Sequence, residues 1–342
     1  MKILIISPTQ IGIGGIAQHV INLSKFLILH KHTVKIISTQ NTLYIPISGL
    51  KNISFTIFSF FKIIQMNNFN IFHAQNPISA IAFKILNGKK ILSLQGMYSE
   101  NISMLHGNIL GKLSKYLEKN VLQWTDAVIV SSQDMYEIYK KYHTRVFFIP
   151  NAIDIDALPL ESEKLFDNQI IYAGRLSKEK GFLDILEIID HLPKNFHMII
   201  IGNGPEVSKI KNMEKKHANI HYFGLKDKQN TIKLIRGSKI LIQPSLLEAG
   251  TSTSILEAMA CKTCVITTPV GGNKESIRHL DTGYVINFNS PDEILDGINF
   301  LLTNYEKRNE IIENAFNEVK KNDWKNVIHM YLKIYEDLTK IK

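Results

Sequence analysis

The sequence predicts an α/β protein made of two doubly wound, Rossmann-like domains facing each other across a cleft. Three observations lead there. Short β-type runs alternate with helical stretches through both halves, which is the pattern of parallel sheets covered on both faces. Glycine-containing turns recur where strands give way to helices. The alternation is interrupted once, around residues 152–168, and then restarts. At 342 residues the chain is long enough for two domains of ordinary size, and 45% apolar residues can fill two cores.

In chain order, Lys2–Ser7 reads as a strand, followed by a glycine turn that opens a helix. Val34–Ser38 is strand-like, and Ile53–Phe61 is apolar enough to be strand or helix. Asn70–Ala74, Lys90–Leu94, Ala127–Val130 and Arg145–Pro150 complete the first half. Asn108–Trp124 is an amphipathic helix, with Leu110, Leu113, Leu117 and Val121 expected on a core-facing side and Lys112, Lys115 and Lys119 opposite. Residues 152–168, poorly periodic and holding Pro159, mark the boundary. Strands are then expected at Ile170–Ala173, His197–Ile201, Ile220–Phe223, Ile240–Gln243 and Cys264–Thr267, each leading into a turn and a helix. From about Pro291 onward the chain reads as helices, with Trp324 and Tyr331 as packing anchors. The domains are expected at 1–155, 156–310 and, as C-terminal helices, 311–342.

Charge is unevenly spread. Residues 1–150 carry 15 Lys and Arg against 5 Asp and Glu, while the other 192 carry 25 against 26, within a net charge of +9. The basic half suits a solvated surface, an anionic membrane or an anionic acceptor. Nucleic acid is disfavoured, because no basic stripe interleaved with aromatics is present. No apolar run reaches spanning length and the start lacks a leader's cleavage site, so a cytoplasmic protein is expected, in peripheral contact with the inner face of the membrane. Cys261 and Cys264 form one C-x-x-C with no second pair, which favours packing over zinc or redox chemistry. No metal-ligand cluster or cofactor motif is evident. GIGGIA lacks the spacing of GxGxxG, which argues against a nicotinamide-dependent dehydrogenase.

Ligands of such sheets sit at the carboxyl ends of strands, and that criterion selects the candidates. Gly12, Gly14 and Gly15 stand between the first strand and its helix, where backbone can approach an anion. Arg175 and Lys180 share one loop after a strand and could grip phosphate oxygens. Thr251, Ser252 and Thr253 offer hydroxyls and N–H groups at a helix start, either to a phosphate or as ordinary caps. Glu257 could accept from ribose hydroxyls, or close a capping box with Ser254. Glu248 could meet sugar hydroxyls or be a surface acid. His73 and Gln95 end strands of the first domain. Asn151 and Asp154 lie where the chain leaves it.

Taken in order, these pieces resemble the group-1 (family 4) retaining glycosyltransferases of the GT-B fold. GGIAQHVINLSKFL is similar to the family's first glycine loop and helix, and NIFHAQNP to the strand usually reading DIIHAH. VIVSSQ and IPNAID are similar to the strands before the linker. AGRLSKEKG is similar to GRL-x-x-x-KG, IGNGP to GxGP, and PSLLEAGTSTSILEAMA with PVGGNKE to the donor-site signature. The resemblance implies a nucleotide-sugar donor held mainly by the second domain and a glycan or lipid-linked acceptor. Arg175 and Lys180 would hold the diphosphate, Glu257 the ribose, Leu225 the base, and Thr251–Thr253 the phosphate or sugar. Gly14 and Gly15 would approach from the first domain, and the last helix would cross back to it. It also implies metal-independent transfer with no cofactor beyond the donor, in surface polysaccharide or glycolipid synthesis.

Three positions depart from the pattern. The family's two glutamates have seven residues between them, whereas Glu248 and Glu257 have eight. The strand that often ends His-Gly ends Gln95-Gly96. Lys262 and Cys264 replace a helix-ending glycine and its proline. Two rivals follow: a non-catalytic sugar-nucleotide-binding partner subunit, and a sugar-nucleotide epimerase of the same fold.

Overall fold

The structure, a computed structural model, describes residues 1–340 except 11, 13, 48–50, 67 and 97–106, with the side chains of 51–53 left out. The chain divides into two compact units, Met1–Asn151 with Trp324–Lys342, and Ala152–Asp323. The divisions fall after Asn151 and before Trp324 rather than at 155/156 and 310/311. Ile153 makes a bridge to Asp323, and Ile153 and Leu158 are buried among second-unit side chains, so the boundary segment packs with the second unit.

The first unit holds a six-stranded sheet in the order β2-β1-β3-β4-β5-β6. Its strands are β1 Lys2–Ile6, β2 Thr33–Ile37, β3 Ile71–Ala74, β4 Lys89–Leu94, β5 Ala127–Val130 and β6 Val146–Phe148. All neighbours are parallel. Both faces of β3 and β5 are buried, as expected for central strands between helix layers. The ambiguous stretch at Ile53–Phe61 lies in a helix, Lys51–Ile64. The last helix, Trp324–Lys340, packs on the first, Gly15–Leu29. Trp324, Tyr331 and Tyr335 are fully buried there, and Trp324 stacks on Phe26 with ring centroids 5.9 Å apart.

The second unit's sheet, in the order β12-β11-β10-β7-β8-β9, is parallel throughout. It is built from β7 Gln169–Ala173, β8 His197–Ile201, β9 Ile220–Gly224, β10 Ile240–Gln243, β11 Cys264–Thr267 and the two-residue β12 Tyr284–Val285. The five longer strands fall where the alternation places them. β12 is too short to leave a period in the sequence. The sheet starts at β7, grows through β8 and β9, and then returns to add β10 on the other side of β7. Growth therefore reverses between β7 and β10, and a crevice opens at such a reversal beyond the strands' carboxyl ends. In the first sheet the same reversal lies between β1 and β3.

One expectation is overturned. Helix Asn108–Gln123 buries Gly111, Glu118, Val121 and Leu122, so of the expected stripe Val121 is buried and Leu117 partly so. Leu110 and Leu113 are exposed. The buried side is turned by roughly 100°, about one residue step, from the stripe. The sequence shows that the helix has an apolar side, but neighbouring elements decide which side is covered. Among the described residues no helix is long and apolar enough to cross a membrane.

Candidate functional site

The β7/β10 reversal point gathers most of the second-unit candidates. After β7 the chain runs through Gly174 and Arg175 to Gly181. Gly181 adopts a left-handed φ of 65°, and a Cβ there would lie 1.8 Å from the Pro244 carbonyl oxygen. Only glycine permits that approach, so the loop lies directly against the end of β10. The backbone N–H groups of Leu246 and Leu247 both donate to the Glu179 carbonyl, at 3.0 and 3.1 Å, and join the two loops a second time. Gly202 and Gly204 do similar work from β8. A Cβ on either would strike the backbone at Gly174 or Leu176.

On this scaffold Lys180 Nζ donates to Glu248 Oε1 at 2.6 Å. Ser245 Oγ donates to the same oxygen at 2.8 Å and accepts from Gln243 Nε2 at 3.0 Å. Gln243 Oε1 accepts from Ser254 Oγ at 3.0 Å, at the start of the next helix. Arg175 faces outward, with Nη1 3.5 Å from Glu179 Oε1 and its side chain about half exposed. Beneath it the Tyr172 hydroxyl donates to the Arg175 carbonyl at 2.7 Å. Burial, and then the nearby charges of Glu248 and Glu179, push that phenol well above its usual range and keep it neutral.

The small-residue turn that follows serves two ends. Thr251 is turned inward, its hydroxyl donating to the Gly272 carbonyl at 2.7 Å and lying 2.8 Å from Ser276 Oγ. The Ser252 N–H is taken by Asn273 Oδ1 at 2.9 Å. A Cβ on Gly271 or Gly272 would collide with the backbone of Glu248 or Thr251, so the glycine pair lets the PVGG turn seat under this loop. Helix Thr253–Ala260 begins at Ser252 with no side-chain cap, and its positive end lies on the loop after β10. Since Ser252 is the N-cap, Ser254 and Glu257 form no capping box. Glu257, nearly buried, instead takes an ion pair from Lys228. Lys228 opens the helix after β9, three residues beyond the exposed Leu225. Sequence reasoning missed it, because one lysine does not stand out among 40 Lys and Arg.

In the first unit Gly14 and Gly15 are exposed at the start of the first helix, with Gly14 as an uncapped N-cap. Gln95 is half-buried just beyond β4, and Asn151 half-buried at the unit's end. His73 does not face a ligand surface. It is fully buried, Nδ1 lying 2.6 Å from the Tyr335 hydroxyl and Nε2 2.7 Å from Ser93 Oγ. Burial, and then the charge of nearby His19, lower its pKa to about 3. His73 does lie on β3, but its side chain enters the layer beneath the last helix instead of extending past the strand end. Sequence reasoning also passes over Gln75, which follows β3 at the reversal point of the first sheet. It is fully buried, and neither its amide nitrogen nor its amide oxygen has a hydrogen-bond partner. Polar residues after strands are common, and nothing in the sequence marks one as unpaired.

Cys261 and Cys264 are buried free thiols, pushed up by burial to about 11 and about 12, which suits packing. Among the described residues no three or more His, Cys, Asp or Glu gather in a metal-holding group.

The arrangement can do specific chemistry. Arg175 and Lys180 lie on the loop after β7, Lys180 paired with Glu248, and helix Thr253–Ala260 starts on the loop after β10; cations and a helix N-terminus so placed can stabilise negative charge on a phosphate-like group. Two nearly buried carboxylates, Glu248 and Glu257, stand by as acceptors for hydroxyl groups.

Residues 13–157 match the model of glycosyltransferase family 4. Residues 155–318 match that of glycosyl transferases group 1. A glycosyltransferase of Methanocaldococcus jannaschii is 27% identical over 324 residues, covering 86% of this chain and 81% of its own. The structure of sucrose-phosphate synthase from Thermosynechococcus elongatus superposes with a TM-score of 0.86 at 16% identity, over 100% of both chains. HepE from Anabaena, solved with UDP-glucose, superposes with a TM-score of 0.78 at 16% identity, over 99% of this chain and 100% of its own. With the two models together spanning most of the sequence and the fold shared with GT-B enzymes, this chain belongs to the group 1 glycosyltransferases, carrying a family 4 region ahead of the group 1 region.

Proposed function

We propose that the protein moves a sugar from a nucleoside-diphosphate sugar to a glycan or lipid-linked acceptor, with retention of anomeric configuration and without a divalent metal. The observation that carries this reading is the Lys180–Glu248 pair at the β7/β10 reversal point, on the loops that also carry Arg175 and the start of helix Thr253–Ala260. In the proposed reaction the bond from the sugar's anomeric carbon to the diphosphate oxygen breaks as the bond to the acceptor oxygen forms. The acceptor's proton passes to the departing phosphate. Arg175 and Lys180 answer the charge growing on that phosphate while the sugar gains oxocarbenium character. Glu257 accepts from the ribose hydroxyls, Glu248 from the sugar, and Leu225 lies against the base. HepE, solved with UDP-glucose, supports a donor of this class. We place the acceptor on the first unit, whose surplus positive charge suits an anionic or lipid-linked molecule, and the process in surface polysaccharide or glycolipid synthesis in the cytoplasm.

A thermal-shift screen of nucleoside diphosphates and their sugars tests the donor assignment, because a ligand bound only by the folded state raises its stability by mass action. One nucleotide series is expected to raise the melting temperature of the wild type and to lose that effect in Glu257→Ala. A screen in which no nucleotide stabilises the folded wild type would overturn the assignment.

A further inference from the structure

Gln243 ends β10, immediately before Pro244, and is 1% exposed. A buried amide needs partners for its two N–H groups and its oxygen. Nε2 donates to Ser245 Oγ at 3.0 Å, and Oε1 accepts from Ser254 Oγ at 3.0 Å. A proton count shows why the amide is turned this way. Ionised Glu248 can only accept, so Ser245, itself fully buried, spends its one proton on Glu248 Oε1 at 2.8 Å. Ser245 Oγ can then only accept from Gln243, which puts the amide nitrogen on that side. Tyr172 makes a similar demand. Its hydroxyl gives its own proton to the Arg175 carbonyl. Burial pushes the phenol's pKa up, and a hydrogen bond from Gln243 works the other way, as a donor on the phenol oxygen does.

One amide thereby reaches three parts of the second unit. Through Ser245 it reaches Glu248, whose Oε1 also takes Lys180 Nζ at 2.6 Å. Through Ser254 it reaches the first turn of helix Thr253–Ala260, where Ser252 Oγ lies 3.0 Å from Ser254 Oγ. Through Tyr172 it reaches the backbone of Arg175. Gln243 is itself held by its strand, between β7 and β11, and its carbonyl accepts from Thr267 Oγ1 at 2.7 Å. An apolar residue at this position would fill the space but leave Ser245 unguided. A carboxylate would compete with Glu248 for the Ser245 proton.

We propose that Gln243 is a positioning residue for sugar transfer, acting through Ser245 on Glu248 and through Ser254 on the start of helix Thr253–Ala260. The inference rests on the proposed function, from which Glu248 and Lys180 take their roles. Gln243 touches no substrate. With Oε1 of Glu248 fixed between Ser245 and Lys180, Oε2 is the oxygen left for a sugar hydroxyl.

The test uses the full chain and a panel of nucleoside-diphosphate sugars headed by UDP-glucose, with water as acceptor and release of the nucleoside diphosphate as the readout. Gln243→Met and Ser245→Ala should each lower kcat roughly 10- to 100-fold, with a smaller change in KM for the donor. Neither should lower it much further in a Glu248→Gln background, because residues that act through one group are not additive. Gln243→Glu adds a pH signature. Ionised, that carboxylate has no proton for Ser245. Protonated, it again offers one donor and one acceptor, and burial raises its pKa toward the working range. Its rate relative to wild type should be small at about pH 8 and recover toward about pH 5.5, while the ratio for Gln243→Met stays constant.

Melting temperatures separate these effects from misfolding, and Ser245→Ala, which leaves the amide in place, carries the test should Gln243→Met fail to fold. Full turnover in the folded variants, independent losses with Glu248→Gln, or a pH profile of Gln243→Glu parallel to that of Gln243→Met would each overturn the inference. A wild type that releases diphosphate from no sugar nucleotide would overturn the proposed function and this inference with it. An active wild type beside fully active variants overturns this inference alone.

Discussion

Lys180 and Glu248, 68 residues apart in the chain, form an ion pair at 2.6 Å between the loops that follow β7 and β10. The extra residue between Glu248 and Glu257 therefore does not carry Glu248 away from the cations. The chain bends at Ala249–Thr251, seated on the Gly271–Gly272 turn.

This pairing makes the first prediction. Glu248→Gln keeps the shape and an acceptor oxygen but removes the charge. It is expected to lower turnover about 100-fold while leaving affinity for the free nucleoside diphosphate nearly unchanged. Lys180→Met should lower both, since it removes a cation from the diphosphate itself, with a loss in turnover on the order of 100-fold or more. Isothermal titration with the diphosphate, beside steady-state rates, reads the difference. Equal loss of diphosphate affinity in the two variants would show that Glu248 has no sugar-specific part.

The second prediction concerns Lys228 and Glu257. The carboxylate is nearly buried and its cation about a quarter exposed. Lys228→Met leaves the buried charge without its partner, at a cost of about 1–3 kcal/mol. Adding Glu257→Gln should recover most of that stability without restoring nucleotide binding. Denaturant melts of the single and double variants measure the coupling, and strictly additive losses would mean the pair contributes little.

Gln75 supplies the third. An unpaired buried amide costs about 1–3 kcal/mol, so Gln75→Met should raise the melting temperature. If the amide is held ready for an acceptor group, the same change should lower kcat/KM for transfer. A stabilised variant with full activity would assign Gln75 to packing alone.

The fourth is a pH dependence. His19 and His73 are both buried in the first unit, with pKa lowered by burial to about 4 and about 3. Their folded values lie below the ordinary value of 6.5, so between those limits the unfolded chain binds protons that the folded one does not. Stability should be complete above about pH 6.5 and fall as pH drops toward 4, by up to about 1.4 kcal/mol per pH unit for each histidine. His73→Gln should flatten the decline in melts followed from neutral pH down to about pH 4.5. An unchanged slope would mean that other groups set it.

The regular parts of this molecule were legible because their causes are local. Runs such as Ile240–Gln243 and Cys264–Thr267 are strands in any α/β context, and Gly181, Gly271 and Gly272 stand where backbone must touch backbone. Arg175, Lys180 and Glu248 were selected by position after a strand and Glu257 by its place on the helix that follows, and all four by resemblance to the family's motifs. The structure brings the first three to one reversal point. What was not legible depends on partners distant in sequence. The tilt of helix Asn108–Gln123 on its neighbours exposes Leu110 and Leu113, Tyr335 claims His73, and Lys228 claims Glu257. Thr251 also looked like a ligand hydroxyl, yet Gly272 and Ser276 occupy it.

The proposed chemistry stands or falls on whether this crevice transfers sugar with retention, using Arg175 and Lys180 where other transferases use a metal. It is read most directly by proton NMR of the product formed from the nucleoside-diphosphate sugar that stabilises the protein, with a chelator present. The expected product keeps the donor's anomeric configuration, forms at an undiminished rate in chelator and is lost in Arg175→Ala. An inverted product, a rate that needs added divalent metal, or full activity in Arg175→Ala would refute the proposal.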